Sequence, residues 1–130
     1  MKISTRGRYA LTIMIDLAKN YKNDTYISLK DISEKENISL KYLERIISLL
    51  NKADYLDTLR GVNGGYKLKK DPKEYRIGDI LRVAEGSLAP VNCINNFCSK
   101  KDKCKAYVFW EGLYDEINSY LDTKTLDYFL

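Results

Sequence analysis

Ser28-Leu-Lys-Asp-Ile-Ser-Glu-Lys-Glu36, then Asn37-Ile38, then Ser39-Leu-Lys-Tyr-Leu-Glu-Arg-Ile-Ile-Ser-Leu-Leu-Asn-Lys52 reads as a short helix, a tight turn and a second helix. Ser28 and Ser39 each stand where a hydroxyl can accept a hydrogen bond from a free amide of the first helical turn. Asp31, three residues after Ser28, makes a weaker form of the capping box. In the later helix Leu40, Leu43, Ile47 and Leu50 step by 3, 4 and 3, so all four are expected to face inward. Lys41, Tyr42, Glu44, Arg45 and Ser48 fall on the other side. Two such helices, with polar residues early on the exposed face of the second, are the signature of a helix-turn-helix.

Downstream, Tyr55-Leu-Asp-Thr-Leu59 and Tyr66-Lys-Leu-Lys69 alternate apolar and polar residues, the period of two that marks strands. They are joined by Arg60-Gly-Val-Asn-Gly-Gly65. Glycines at 61, 64 and 65 are expected to supply the positive φ angles of a hairpin tip. A hairpin directly after a helix-turn-helix is a wing. A phosphate cradle is the other reading of the glycines, but the Gly-Lys-Ser/Thr ending and a following helix are both missing.

Upstream, Ala10, Ile13, Met14 and Leu17 form one apolar stripe, predicting a helix from Ser4 or Thr5 to about Asn20. Ile77 to Glu85 reads as a short helix with Ile77, Ile80, Leu81 and Ala84 inward and Gly86 as its stop. A last helix is expected from about Lys105 to roughly Leu121. Its seam is Trp110, Leu113, Ile117 and Leu121, flanked by Phe109, Tyr114 and Tyr120. This face either packs on its own domain or forms a homodimer interface, and its aromatic surplus favours the dimer.

The 130 residues are 45% hydrophobic and 31% charged, enough apolar material for the core of one small domain. There is no histidine, which excludes a Ser-His-Asp triad, a His general base and any zinc site that needs imidazole. The net charge of +4 is uneven: residues 1–70 carry +6 and residues 71–130 carry −2. A basic half is either a solvated face or the electrostatic footprint of a nucleic-acid site. The apolar run Tyr9–Ile15 stops at Asp16, far short of the roughly 20 residues a bilayer requires. No membrane association and a cytoplasmic location are therefore expected.

All three cysteines lie in one polar segment, Cys93, Cys98 and Cys104, spaced C-x4-C-x5-C and crowded by Lys100, Lys101, Lys103 and Lys105. Thiolates are soft ligands, and three within a short loop can wrap a zinc, copper(I) or iron–sulfur centre. Neighbouring ammonium groups favour thiolates and offset a cluster's negative charge. The plainer reading is three reduced thiols, or a pair open to oxidation. Structural zinc normally takes four protein ligands, often in CxxC pairs, so a three-cysteine iron–sulfur cluster with a different fourth ligand fits better.

Taken together, Ser4-Thr-Arg-Gly-Arg-Tyr-Ala10, Asp31-Ile-Ser-Glu34, Ile38-Ser-Leu-Lys-Tyr-Leu-Glu44, Arg60-Gly-Val-Asn-Gly-Gly-Tyr66 and the cysteines ahead of the last helix resemble the Rrf2 family of transcriptional regulators, and within it the IscR-like branch. The resemblance runs from residue 1 to about 125. It implies a mainly α fold with a small β-hairpin wing: a winged helix-turn-helix plus a long C-terminal dimerisation helix. The expected division is 1–86 for DNA binding, 87–104 for the cluster loop, and 105–130 for the dimerisation helix and tail.

The resemblance also implies double-stranded operator DNA and a second copy of the chain as partners, with a regulatory protein as a further one. In the family the third helix enters the major groove and the wing the adjacent minor groove. Carried over, Ser39, Lys41, Tyr42 and Glu44 are candidate operator contacts. Glu44 can accept from cytosine N4, and Lys41 can reach a phosphate or guanine. Arg60 suits a narrow minor groove, and Arg6 and Arg8 suit phosphates.

IscR-like members hold a 2Fe–2S cluster with the three cysteines and a histidine three residues later, the position of Tyr107 here. Nitric-oxide-sensing members can use an Asp of the first helix, where Arg8 stands. The first cysteine spacing is also x4 rather than the usual x5. The fourth ligand is thus open among Asp102, Tyr107, a residue of a partner subunit and an exogenous thiol or water, and 4Fe–4S stands beside 2Fe–2S as the cluster type. The expectation is a non-enzymatic repressor that senses iron–sulfur, redox or nitric-oxide status. Its rival is a cluster-free, thiol-redox or partner-controlled repressor of the CymR-like kind. A small electron-transfer or metal-dependent enzyme fails for want of an acid/base pair or substrate-pocket signature.

Overall fold

The computed structural model describes residues 2–130; Met1, first residue of the expected 1–86 unit, lies outside the described residues. Helix α1 spans Thr5–Lys19 and is capped by Ser4, whose Oγ accepts from the Gly7 amide at 3.3 Å. Its expected stripe, Ala10, Ile13, Met14 and Leu17, is buried. Helix α2 (Leu29–Glu36) starts at Ser28, whose Oγ accepts from the Asp31 amide at 3.1 Å. It stops at Asn37, which takes the left-handed conformation (φ 54°) that Asn tolerates. There the Ser33 hydroxyl donates to the Ile38 carbonyl at 2.6 Å, closing the turn. Helix α3 (Leu40–Lys52) starts at Ser39, which accepts from the Tyr42 amide at 3.2 Å.

The inward stripe of α3 is Leu43, Ile46, Ile47 and Leu50. This corrects the expectation for Leu40, which is 45% exposed. Leu40 is the first residue of α3, one turn before Leu43, where the buried stripe begins. Ile46 takes the inward place that a strict 3–4–3 count had passed over.

Strands β1 (Leu56–Leu59) and β2 (Gly65–Leu68) pair antiparallel, with Leu56 opposite Leu68 and Leu59 opposite Gly65. Ile27 joins as a one-residue third strand: its amide donates to the Tyr66 carbonyl at 2.9 Å and its carbonyl accepts from the Tyr66 amide at 2.8 Å. Only Gly61 of the three tip glycines has a positive φ (115°). Gly64 and Gly65 are needed for a different reason. A Cβ on Gly64 would collide with the Leu59 carbonyl, and one on Gly65 with the Ile27 carbonyl and, at 2.8 Å, the Ser28 amide nitrogen.

Helix α4 (Ile77–Glu85) buries Ile77, Ile80, Leu81 and Ala84 as expected, and ends at Gly86 with φ 82°. One-turn helices at Asn92–Ile94 and Lys101–Lys103 punctuate the cysteine segment. Helix α5 runs Tyr107–Asp122, starting two residues later than expected, and buries no residue fully. Trp110, Leu113, Ile117 and Leu121 are only half-buried, and Phe109 is 65% exposed.

The chain then returns to the body. The Leu126 amide donates to the Tyr75 carbonyl at 3.0 Å, the Ile77 amide donates to the Lys124 carbonyl at 2.9 Å, and the Leu126 side chain is fully buried. Ile77, Leu81 and Leu88 form a second small core with Leu11, Tyr114, Leu121 and Phe129. Among the described residues no helix is long and apolar enough to cross a membrane.

Candidate nucleic-acid interface and cysteine segment

The cap serine at position 39 and the 3.6-residue period of α3 together set which residues leave the core. Ser39, Lys41 and Glu44 are exposed, and the same face continues through Ser48 and Asn51. Glu44, Ser48, Asn51 and Lys52 line a shallow groove that Tyr66 of the wing closes on its far side. An adjoining groove of about 570 Å³ runs between α2 and the wing, bordered by Ser28, Asn51, Thr58, Arg60 and Tyr66. Arg60 is exposed at its mouth. Asn51 and Tyr66 line both grooves, so Glu44 of α3 and Arg60 of the wing border one continuous depression.

Tyr42 is different. It is half-buried and stands edge-on to Tyr9 of α1, with ring centroids 5.6 Å apart. Part of its aromatic surface therefore belongs to the core, leaving less of the ring free for a ligand. Arg6 and Arg8 are exposed on the first turns of α1, and the Arg8 guanidinium donates to the Thr5 hydroxyl at 3.1 Å.

Sequence reasoning passed over Asn51, Thr58, Tyr66 and Ser28 as groove residues. The signal for Asn51 was present, since 44, 48 and 51 share one helical face. For Ser28 and Tyr66 there was none, because their proximity depends on the Ile27–Tyr66 bridge.

The cysteine segment is less ordered by local rules. Cys93 and Cys98 are half-buried, Cys104 is exposed, and all three are free thiols. Among the described residues no three His, Cys, Asp or Glu side chains are placed to hold one metal ion. Asp102 is exposed in the Lys101–Lys103 turn. Tyr107 is engaged by Lys101, whose ammonium lies 4.9 Å from the ring centroid. The Tyr107 hydroxyl beside it holds the Lys101 ammonium above the usual lysine range. Within the segment Asn95, between Cys93 and Cys98, donates to the Ser87 hydroxyl at 2.8 Å, next to Leu88, which is buried against Ile77 and Leu81 of α4.

The junction of α4 and α5 is held by charge. Arg82 donates to both carboxylate oxygens of Asp122, at 2.8 and 2.9 Å, and to Asn118 at 2.8 Å. The guanidinium keeps the Asp122 carboxyl below the usual range. Bidentate pairing of this kind adds direction as well as energy, and here it orients the C-terminal half of α5.

Comparison with known proteins matches this geometry. The sequence profile of the Rrf2 family, described as an iron-dependent transcriptional regulator, matches residues 3–130. The chain is 40% identical over 127 residues to the HTH-type transcriptional regulator CymR of Bacillus subtilis (strain 168), covering 98% of this chain and 88% of that one. It is 35% identical over 127 residues to the HTH-type transcriptional regulator IscR of Escherichia coli (strain K12 / DH10B), covering 97% and 78%. The solved structure of CymR, the global cysteine regulator of B. subtilis, superposes with a TM-score of 0.82 at 38% identity, over 98% of this chain and 94% of that one.

Proposed function

The chain belongs to the Rrf2 family of transcriptional regulators, and on that premise we propose that it is a sequence-specific DNA-binding repressor, acting in the cytoplasm as a homodimer. The observation that carries this reading is the pair of adjoining grooves that runs from Glu44 of α3, through Asn51 and Tyr66, to Arg60 of the wing, in the half of the chain that carries +6; Ser39 and Lys41 are exposed at the start of the same helix. Helix α3 would read base edges in the major groove while Arg60 enters the neighbouring minor groove. Arg6 and Arg8 would hold phosphates, which position a protein on the duplex without reading sequence. Two copies joined through α5 would present two such faces to half-sites about one helical turn apart. Residues 1–86 would then bind DNA, 87–104 would receive the signal, and 105–130 would pair the copies.

Two chemistries for that signal each have a specific observation. The three free thiols, two half-buried and one exposed, together with the CymR relative, favour thiols that act as such, by oxidation or by contact with a partner protein. The C-x4-C-x5-C spacing among lysines, together with the IscR relatives, favours an iron–sulfur cluster on the same three cysteines. Anaerobic purification with iron and sulfide analysis, followed by binding to duplexes recovered by in vitro selection, decides between them. A colourless, iron-free protein that binds its selected duplex would establish the thiol reading. Stoichiometric iron and sulfide would instead establish the cluster, and failure to select any duplex would defeat DNA recognition itself.

A further inference from the structure

Glu85 is the last residue of α4, immediately before Gly86 and the cysteine segment. Its carboxylate reaches 81 positions back in sequence to the start of α1. Oε1 accepts a short hydrogen bond from the Ser4 hydroxyl, and Oε2 accepts from the Ser4 amide at 3.4 Å. Ser4 is the residue that caps α1, through its Oγ to the Gly7 amide and its carbonyl to the Arg8 amide at 3.0 Å. The two arginines proposed to hold phosphates, Arg6 and Arg8, stand on the turn so capped. Position 7 has room only for glycine while Glu85 is in place, because a Cβ there would run into Glu85 Oε1.

From the other side, Asn95 lies between Cys93 and Cys98 and donates to the Ser87 hydroxyl at 2.8 Å, two residues after Glu85. The Ser87 hydroxyl also accepts from the Ala89 amide at 3.2 Å, and the adjacent Leu88 is buried against Ile77 and Leu81 of α4. The cysteine loop and the DNA-facing end of α1 are thus joined by a short continuous path: Asn95, Ser87, the Gly86 joint, Glu85, Ser4.

We propose that Glu85 is the positioning residue through which the cysteine segment controls the first turn of α1. With the segment undisturbed, Glu85 holds Ser4 in its capping position and Arg6 and Arg8 are presented in order. When the cysteines are modified, the Asn95–Ser87 tie is lost and the end of α4 shifts about Gly86. Glu85 then leaves Ser4 and the first turn of α1 frays. The element with two states is the capped or uncapped turn, a stretch whose free amides make it the least costly part of a helix to open. The consequence for operator affinity rests on the DNA-binding reading above; the coupling itself does not.

Hydrogen exchange on the full chain, read by mass spectrometry in the peptide covering residues 4–10, tests the coupling without DNA. In the wild type, alkylation of the thiols with iodoacetamide is expected to speed exchange at Gly7 and Arg8 at least fivefold. In Glu85→Ala those amides exchange at the fast rate before alkylation, and alkylation adds less than twofold. Glu85→Gln keeps an oxygen to accept the Ser4 hydroxyl and retains both the slow exchange and the response. Gly7→Ala displaces Glu85 while favouring the helix, and it behaves like Glu85→Ala. A wild type that does not respond, or a Glu85→Ala protein that still responds in full, overturns the proposal. On a duplex selected with the wild type, alkylation should weaken binding about tenfold in the wild type and less than twofold further in Glu85→Ala. If no duplex is selected, the DNA-binding reading fails while the exchange result stands.

Discussion

Asp16 of α1 is buried, accepts from the Lys35 ammonium at 2.9 Å through Oδ1, and leaves Oδ2 buried without a partner. A buried carboxylate oxygen without a donor is costly. The Asp16 carboxyl beside Glu36 of α2, reinforced by burial, pushes the Glu36 carboxyl above the usual glutamate range, although Lys35 and Lys19 pull the other way. Ionising Glu36 is therefore harder in the fold than in the unfolded chain. Its contribution to stability is present at acid pH and lost as pH rises through its folded-state titration, opposite in sign to the contribution of Asp122. We expect Glu36→Gln to remove that loss, so urea midpoints of the wild type and variant should converge at low pH and diverge in the variant's favour toward neutrality. Parallel curves across pH 4 to 7.5 would contradict the raised Glu36 carboxyl. On the face proposed to bind DNA, Arg60→Ala is expected to weaken operator binding by about 1–3 kcal/mol at fixed salt. Glu44→Ala should relax base preference more than it lowers overall affinity, as competition between selected and scrambled duplexes would show.

The wing is not a free-standing hairpin. A two-stranded hairpin is marginal in water, and this one is anchored by Ile27 pairing with Tyr66 and by Leu56 and Leu68 entering the core. Gly65 is where the third strand comes closest. Gly65→Ala places a methyl group against the backbone of Ile27 and Ser28, which cannot move without opening the bridge, and we expect a loss of about 1–3 kcal/mol in chemical denaturation. The same substitution at Gly61 meets open space but retains a positive φ, so its cost is backbone strain alone. For α3, the cap and stripe assignments follow from sequence period, whereas Leu40, one turn before the buried stripe begins, is exposed.

Across the whole molecule, α5 is held at its C-terminal half by Arg82 and by the returning tail, while Val108 and Phe109 near its start are largely exposed. Leu126 fastens that tail. Leu126→Ala should cost about 2–5 kcal/mol, the range for deleting a fully buried leucine side chain, and should loosen α5 along with it. If α5 pairs two copies, Phe109→Glu should shift sedimentation toward the monomer and weaken binding to a two-half-site duplex more than to a single half-site. A variant that sediments like the wild type would place the interface elsewhere.

Much of this protein was legible in its sequence because the signals are local. A serine before an apolar period caps a helix wherever it stands, and an inward stripe must recur every 3.6 residues. Helices α1 to α4, the wing and the exposed polar face of α3 could therefore be read residue by residue, and the resemblance at Ser4–Ala10 and Arg60–Tyr66 supplied the class. Tertiary structure alone decided the remainder. Glu85 meets Ser4, Ile27 meets Tyr66, Leu126 enters the core and Asp16 is buried through contacts between distant positions, which leave no period in the chain. The cysteine segment shows the same division: its C-x4-C-x5-C spacing is legible in the sequence, whereas its path is set by anchors such as Leu88 and the Asn95–Ser87 bond.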